Sequence, residues 1–109
     1  MEVTELRIGN LVKMNNRIIV MDNRIFHAVI HGFKGYEPKP IPLTRELILK
    51  FGFEETEFCF RLGTFFLTKS KQAERYLYQA HQNRFVVMHV HHLQNLYFAL
   101  YEEELVFNN

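Results

Sequence analysis

The chain has 109 residues, 48% of them hydrophobic, and a formal net charge of +1, which fits one globular domain that buries its own core. Up to residue 42, six basic and four acidic residues give +2, and from residue 43 onward seven basic and eight acidic residues give −1. Neither part has the strong positive charge typical of proteins that hold a nucleic-acid backbone. The single cysteine, Cys59, excludes an internal disulfide and a cysteine-rich zinc site.

The chain shows no membrane or secretion signal. No hydrophobic run approaches the ~18 to 20 residues that cross a bilayer, and the acidic first five residues lack the apolar segment of a secretory signal. We therefore expect a single cytoplasmic domain over residues 1–109 that does not associate with a membrane.

The N-terminal third predicts short strands joined by tight turns. A helical turn over residues 4–10 is followed by a strand over 11–14, and the Asn15-Asn16 pair, which tolerates positive φ, predicts a hairpin to a strand over 17–21. The β-branched and aromatic residues of 24–31 predict a third strand. This spacing resembles half of a small SH3-like barrel.

The middle of the chain predicts an extended joint and a capped helix. Residues 32–42 contain three prolines and two glycines; they are either an extended lead-in, which we favour, or a polyproline ligand for a partner. Thr44 is a typical N-cap for a helix over 45–51, and Gly52 suits the left-handed position that ends it.

The second half predicts an antiparallel sheet. Residues 57–62 alternate between apolar and polar, and a partner strand over 65–68 follows. The apolar face of the first strand consists of Phe58, Phe60 and Leu62. Residues 70–83 suit a helix or a strand, and we favour a strand because the strand predicted over 84–90 needs a neighbour.

A highly apolar helix is predicted over residues 92–100, and we expect it to be the central element of the fold. Its stripe consists of Leu93, Leu96, Tyr97 and Leu100. We expect this helix to be buried, with Gln94 and Asn95 requiring polar partners. Glutamates at 102–104 oppose the helix dipole, so a closing strand is predicted from about residue 104. The expected fold class is α+β, a mostly antiparallel sheet with two short helices.

Three blocks of sequence carry a resemblance. They are Glu-Leu-Arg-Ile-Gly-Asn at 5–10, Pro-Ile-Pro-Leu-Thr with Lys-Phe-Gly-Phe at 40–53, and the segment from Val90 to Leu105 with Leu-Gln-Asn-Leu-Tyr-Phe-Ala-Leu. The chain resembles small uncharacterised proteins encoded by Bacteroidetes, often in phage or other mobile regions. The resemblance implies this context and no activity. The family has Thr-Gly where this chain has Tyr101-Glu102, so Glu102 either adopts a left-handed φ or the chain turns another way.

Histidines are the main candidates for chemistry. His89 and His91, two apart at the end of a predicted strand, lie about 6 to 7 Å apart by the strand rise and can reach one zinc or iron ion. A third ligand has to come from His27 or from a glutamate brought in by the fold. The alternative is structural: His91 caps the helix and His89 pairs across the sheet. His27 and His31, roughly 13 Å apart on one strand, are too distant to share a metal.

Two binding functions remain open. Lys69, Lys71, Arg75 and Arg84, with tyrosines between them, form a potential nucleic-acid strip. Sixteen aromatic residues in a small domain leave some exposed for a protein interface, and residues 102–107 offer an edge strand to a second copy. We favour a non-enzymatic protein-interaction module without a cofactor; a nucleic-acid-binding accessory protein and a metal-dependent enzyme are the alternatives.

Overall fold

A computed structural model describes residues 5–70, 75–80 and 83–108 and confirms the α+β class. The described residues form a two-stranded and a five-stranded antiparallel sheet with three helices, one more than predicted. The strands are β1 (Leu11–Met14), β2 (Arg17–Val20), β3 (Glu54–Glu55), β4 (Cys59–Leu62), β5 (Phe65–Lys69), β6 (Tyr76–Ala80) and β7 (Asn83–Val87), and the helices are α1 (Asn23–Ile30), α2 (Arg45–Lys50) and α3 (Val90–Tyr101).

The N-terminal hairpin forms as predicted. β1 and β2 pair from Leu11 opposite Val20 to Met14 opposite Arg17. Asn15 and Asn16 have φ angles of 53° and 63°, the left-handed conformation that two-residue hairpin turns require.

The predicted third strand over residues 24–31 is wrong, because this segment is the helix α1. Asp22 is its N-cap, and the Asp22 carboxylate accepts a hydrogen bond from the Ile25 amide at 2.8 Å. Ala28 and Val29 form its buried face. The cap and this one-sided burial outweigh the β propensity of the branched residues. The N-terminal part is therefore a hairpin and a helix, and the SH3-like half-barrel does not form.

Helix α2 is capped at its N-terminus and followed by a left-handed glycine, as predicted. The Thr44 hydroxyl accepts a hydrogen bond from the Leu47 amide at 3.3 Å. Gly52 has a φ of 89°, and Phe53 is buried in the main core. This core lies between α2, the start of α3 and one face of the five-stranded sheet.

The five-stranded sheet is a meander in the order β3 to β7. Strand β6 confirms the strand predicted between residues 70 and 83, and the potential helix cap and turn there fall partly on 71–74 and 81–82, outside the described residues. Phe60, Phe65 and Leu67 are buried on the inner face. Phe58 precedes β4 and is exposed, so the predicted apolar face is only partly buried.

Helix α3 starts earlier than predicted. The strand predicted over 84–90 ends at Val87, and α3 begins at Val90 and ends at Tyr101. Glu102 then has a φ of 55°, so the chain leaves the helix through a left-handed residue, the first of the two exits considered for this position. Residues 103–108 form no strand, so the predicted closing strand is wrong. The end of this segment is held by the Asn108 amide, which donates a hydrogen bond to the Lys50 carbonyl at 2.7 Å.

The fully buried residues of α3 all lie in its first half. Leu93 is fully buried, Leu96 and Tyr97 are partly buried, and Leu100 is exposed, so the predicted stripe leaves the core toward the C-terminus. Gln94 is buried, and its side chain has the expected polar partners. It accepts a hydrogen bond from the Leu11 amide at 2.7 Å and donates one to a loop carbonyl at 3.1 Å.

Candidate functional sites

The N-terminal segment is held against α3 by the amide of Asn95. The Asn95 side-chain oxygen accepts hydrogen bonds from Arg7 Nε at 3.0 Å and from Asn10 Nδ2 at 2.7 Å. Its nitrogen donates to the backbone oxygen of Glu5 at 2.8 Å, and Arg7 also pairs with Glu104. These contacts bring Glu5 beside the first turn of α3.

Three histidines lie at that first turn. His89 occupies the N-cap position with extended backbone and makes no side-chain cap bond, whereas His91 and His92 belong to the helix. The ring centroids of His91 and His92 are 4.2 Å apart, and His89 lies 5.8 Å from His91 and 5.1 Å from His92. The predicted placement at a strand end is wrong for His91, which lies in the helix, whereas His89 forms an isolated antiparallel bridge with Pro42 just past β7. The helix entry brings His92 closest to His91.

Glu5 supplies a carboxylate as the third donor beside His91 and His92. One ligand atom each from Glu5, His91 and His92 lies within 4.8 Å of the others, and His92 Nε2 is 3.3 Å from Glu5 Oε1. Of the two suggested third ligands, the fold provides the glutamate. His27 lies instead one helical turn from His31 on α1, with ring centroids 4.2 Å apart, which replaces the 13 Å separation expected for a strand.

Burial lowers the pKa values of His89 and His91. His91 is 1% exposed, and removal from water lowers its pKa to about 4, with a further contribution from the neighbouring His92. Burial also lowers the pKa of His89, followed by the effect of His92. His91 is therefore a neutral imidazole at neutral pH, with a lone pair available to a ligand.

The potential nucleic-acid strip is divided between different parts of the sheet. Lys69 Nζ donates to Glu55 Oε2 at 2.8 Å and to a backbone oxygen at 2.9 Å. Arg75 precedes β6, Arg84 lies in β7, and Lys71 is outside the described residues.

The tyrosines expected to interleave with these charges face the core. Tyr78 stacks on Phe65 with ring centroids 4.7 Å apart, and Tyr76 meets Phe60 at 5.8 Å. Both rings therefore pack inside the domain and do not form an exposed platform for bases.

Strand β7 is an open edge of the five-stranded sheet, and its aromatic and branched side chains are half exposed. Phe85 is 45% and Val86 51% exposed. The register aligns a row of side chains on the outer face of the sheet from β4 to β7, consisting of Cys59, Thr68, Leu77 and Val86. The opposite edge, β3, has only two residues, Glu54 and Glu55, and both form ion pairs.

The backbone at the open edge has a defined orientation. Just past β7, the Met88 carbonyl accepts from the Leu43 amide, and the Val90 amide donates to the Ile41 carbonyl, both at 2.9 Å. Because backbone groups alternate along a strand, Arg84 and Val86 face the same edge as Met88. No backbone hydrogen bond from another described segment reaches Arg84 or Val86.

No family model, curated protein or solved structure is significantly similar to this chain. Within the described residues, the longest helix has 12 residues, and no helix has the length and apolar character that a membrane span needs.

Proposed function

We propose that this protein is an interaction module that pairs with a second copy of itself along β7. The observation that carries the proposal is the open edge itself. It is a five-residue strand with half-exposed Phe85 and Val86, and no other described segment bonds its outward backbone groups. Such an edge is a ready template for another strand. Strand β7 is therefore the proposed pairing edge in place of segment 102–107. That segment forms no strand and so lacks the backbone geometry that pairing requires.

In a two-fold antiparallel pairing, all five residues of β7 can pair with the β7 strand of a second copy in only one register. With Phe85 opposite Phe85 of the second copy, Asn83 faces Val87 and Arg84 faces Val86, so no like charges are opposed. Arg84 and Val86 then form the hydrogen-bonded pairs, while the two phenylalanines form a close non-hydrogen-bonded pair. Aromatic cross-strand pairs of this kind stabilise sheets, and the outer-face row continues into the second copy.

The two edges of the sheet favour a closed dimer over a filament. A head-to-tail arrangement would place β7 against β3, but β3 offers only two residues, whose carboxylates already bind Arg45, Arg61 and Lys69. An isologous interface uses the same strand twice and closes on itself. A small binding protein in the cytoplasm also agrees with the phage or mobile-element context that the sequence resemblance implies.

The test is sedimentation velocity over a concentration series, with Val86→Lys as the interface variant and Val106→Lys as its matched control. Val106 is 68% exposed and lies in the segment originally expected to pair. We expect a monomer–dimer equilibrium for the wild type and for Val106→Lys. Val86→Lys should weaken dimerisation more than about tenfold, because two lysines would enter the paired edge, at a cost above roughly 1.4 kcal/mol.

Two results contradict the proposal. If the wild-type protein stays monomeric at high concentration, it does not self-associate. If Val106→Lys loses the dimer and Val86→Lys keeps it, the interface lies in the C-terminal segment. Far-UV circular dichroism of both variants verifies that they remain folded.

A further inference from the structure

We propose that Glu5, His91 and His92 form a binding site for one divalent zinc ion per chain, independent of the sheet edge. Two imidazoles and one carboxylate are a donor set that zinc binds in proteins, with a fourth position left for water or another ligand. Imidazole donors favour zinc over magnesium and calcium, which prefer oxygen ligands.

The spacing of the donors suits zinc. Bonds of about 2.0 to 2.1 Å in a tetrahedral site separate neighbouring ligand atoms by roughly 3.3 Å. His92 Nε2 and Glu5 Oε1 are already 3.3 Å apart. All three donors lie within 4.8 Å of one another, close to the spacing that a tetrahedral zinc site requires.

The second, independent observation is the condition of His91. Its ring is 1% exposed, and neither Nδ1 nor Nε2 has a hydrogen-bond partner among the described residues. A buried polar group without a partner destabilises the fold, and native structures retain few of them. A metal ion at the three donors gives one of these nitrogens a strong partner.

His89 belongs to the immediate surroundings of the site. Its Nδ1 is likewise buried without a partner among the described residues, and its ring packs against that of His92. Unpartnered nitrogens of His89 and His91 thus lie together in this ring group, whereas Val90 and Leu93 of the same turn belong to the main core. We expect the fourth coordination position on the His89 side.

The Asn95 contacts preorganise the site. Asn95 fixes the backbone of Glu5 only one helical turn from His91 and His92. Holding the carboxylate near the imidazoles before the ion arrives reduces the ordering cost of binding.

The experiment uses the full chain without an affinity tag, titrated with zinc by calorimetry and with cobalt(II) by visible absorption. Cobalt reports four-coordinate geometry directly, and native mass spectrometry gives the stoichiometry. The variants are Glu5→Gln and His92→Ala, both at residues with partly exposed side chains, and the matched control is His27→Ala on α1.

We expect one ion per wild-type chain and unchanged binding in His27→Ala. Glu5→Gln and His92→Ala should bind more than about tenfold more weakly, since even the partners of metal ligands contribute about 10- to 100-fold. Wild-type protein that takes up no zinc at 100 μM metal, on the order of a weak site's Kd, overturns the proposal. Equal binding by the wild type and both variants also overturns it, and loss in His27→Ala alone moves the site to α1.

His91→Leu provides a readout that separates metal binding from folding. Leucine fills a similar volume without unpaired nitrogens, so the metal-free variant should have a higher Tm than the metal-free wild type. Zinc should raise the Tm of the wild type and not that of His91→Leu. A zinc-dependent increase that persists in the variant overturns the assignment of His91 as a ligand.

Discussion

Two pairs of histidines in this protein have the same ring separation and different surroundings. His27 and His31 on α1 have centroids 4.2 Å apart, as do His91 and His92 on α3. The α1 pair is exposed, whereas His91 is buried and its neighbour contacts Glu5. Ring proximity alone therefore does not define a site; a third donor and exclusion of water distinguish the α3 group.

The difference arises from what packs on each helix. The α1 histidines point away from a small core of apolar side chains, and their described ring contacts are with each other and with Phe33. The α3 histidines lie where the N-terminal segment crosses the helix and is tied to it by Asn95. Tertiary hydrogen bonds from distant sequence thus create one group and not the other.

The largest expected effect comes from removing that tie. Asn95→Ala deletes three hydrogen bonds and leaves the fully buried Asn10 amide without its Asn95 partner. Bonds worth about 1 kcal/mol each and the cost of the orphaned amide predict a loss of about 4 kcal/mol in unfolding free energy. Urea denaturation measures it in metal-free protein.

The control for this change is Asn23→Ala, an exposed asparagine at the start of α1. It should alter the unfolding free energy by less than about 0.5 kcal/mol. Where Asn95→Ala still folds, zinc binding should weaken because Glu5 loses its anchor. An effect of Asn95→Ala no larger than that of the control would mean that the N-terminal segment is held by other contacts.

The second prediction concerns pH. The folded-state pKa of His91 is about 4, below the ordinary value of about 6.5, so between these values the unfolded chain binds more protons than the folded one. Protonation of His91 therefore has no effect on the unfolding free energy above pH 6.5, and the unfolding free energy decreases as the pH falls from 6.5 toward 4. The loss amounts to about 3 kcal/mol at most, from about 1.4 kcal/mol per pH unit.

Comparison of two leucine variants isolates this contribution from carboxylates that titrate in the same range. In metal-free protein, His91→Leu should show a flatter dependence of unfolding free energy on pH between 6.5 and 4. His31→Leu, at the exposed pair, should follow the wild-type curve. Parallel curves for all three proteins would show that His91 is hydrated in solution and not excluded from water.

Local signals in the sequence were sufficient for much of the fold. The asparagine hairpin, the capped helix α2 and the alternating strands all follow from short-range preferences, and each forms. Residues 24–31 differ from their prediction because the Asp22 cap favours a helix where the β-branched residues favour a strand. Helix α3 begins two residues before the position that its apolar pattern predicts, because its N-cap position holds His89 and none of the usual capping residues.

The candidate metal site was only half predictable. His91 lies in a cluster of histidines that the sequence displays, and spacing was enough to propose it as a ligand. Glu5 is at the other end of the chain, and tertiary contacts with α3, those of Asn95 and Gln94 among them, bring it there. The open edge at β7 likewise depends on which strand ends the sheet, and local pattern does not determine that order.

The smallest predicted effect tests whether the two histidine groups are independent. Asp22→Ala removes the N-cap of α1, whose carboxylate accepts from the Ile25 amide, and should lower the unfolding free energy by about 1 kcal/mol. Asp22→Asn should retain most of this stabilisation, because asparagine also caps helices. Zinc affinity should stay at the wild-type value in both variants, because α1 contributes no ligand to the proposed site. A fall in zinc affinity that accompanies the loss of the cap would mean that the exposed histidines bind the metal, and that burial is not what separates the two groups.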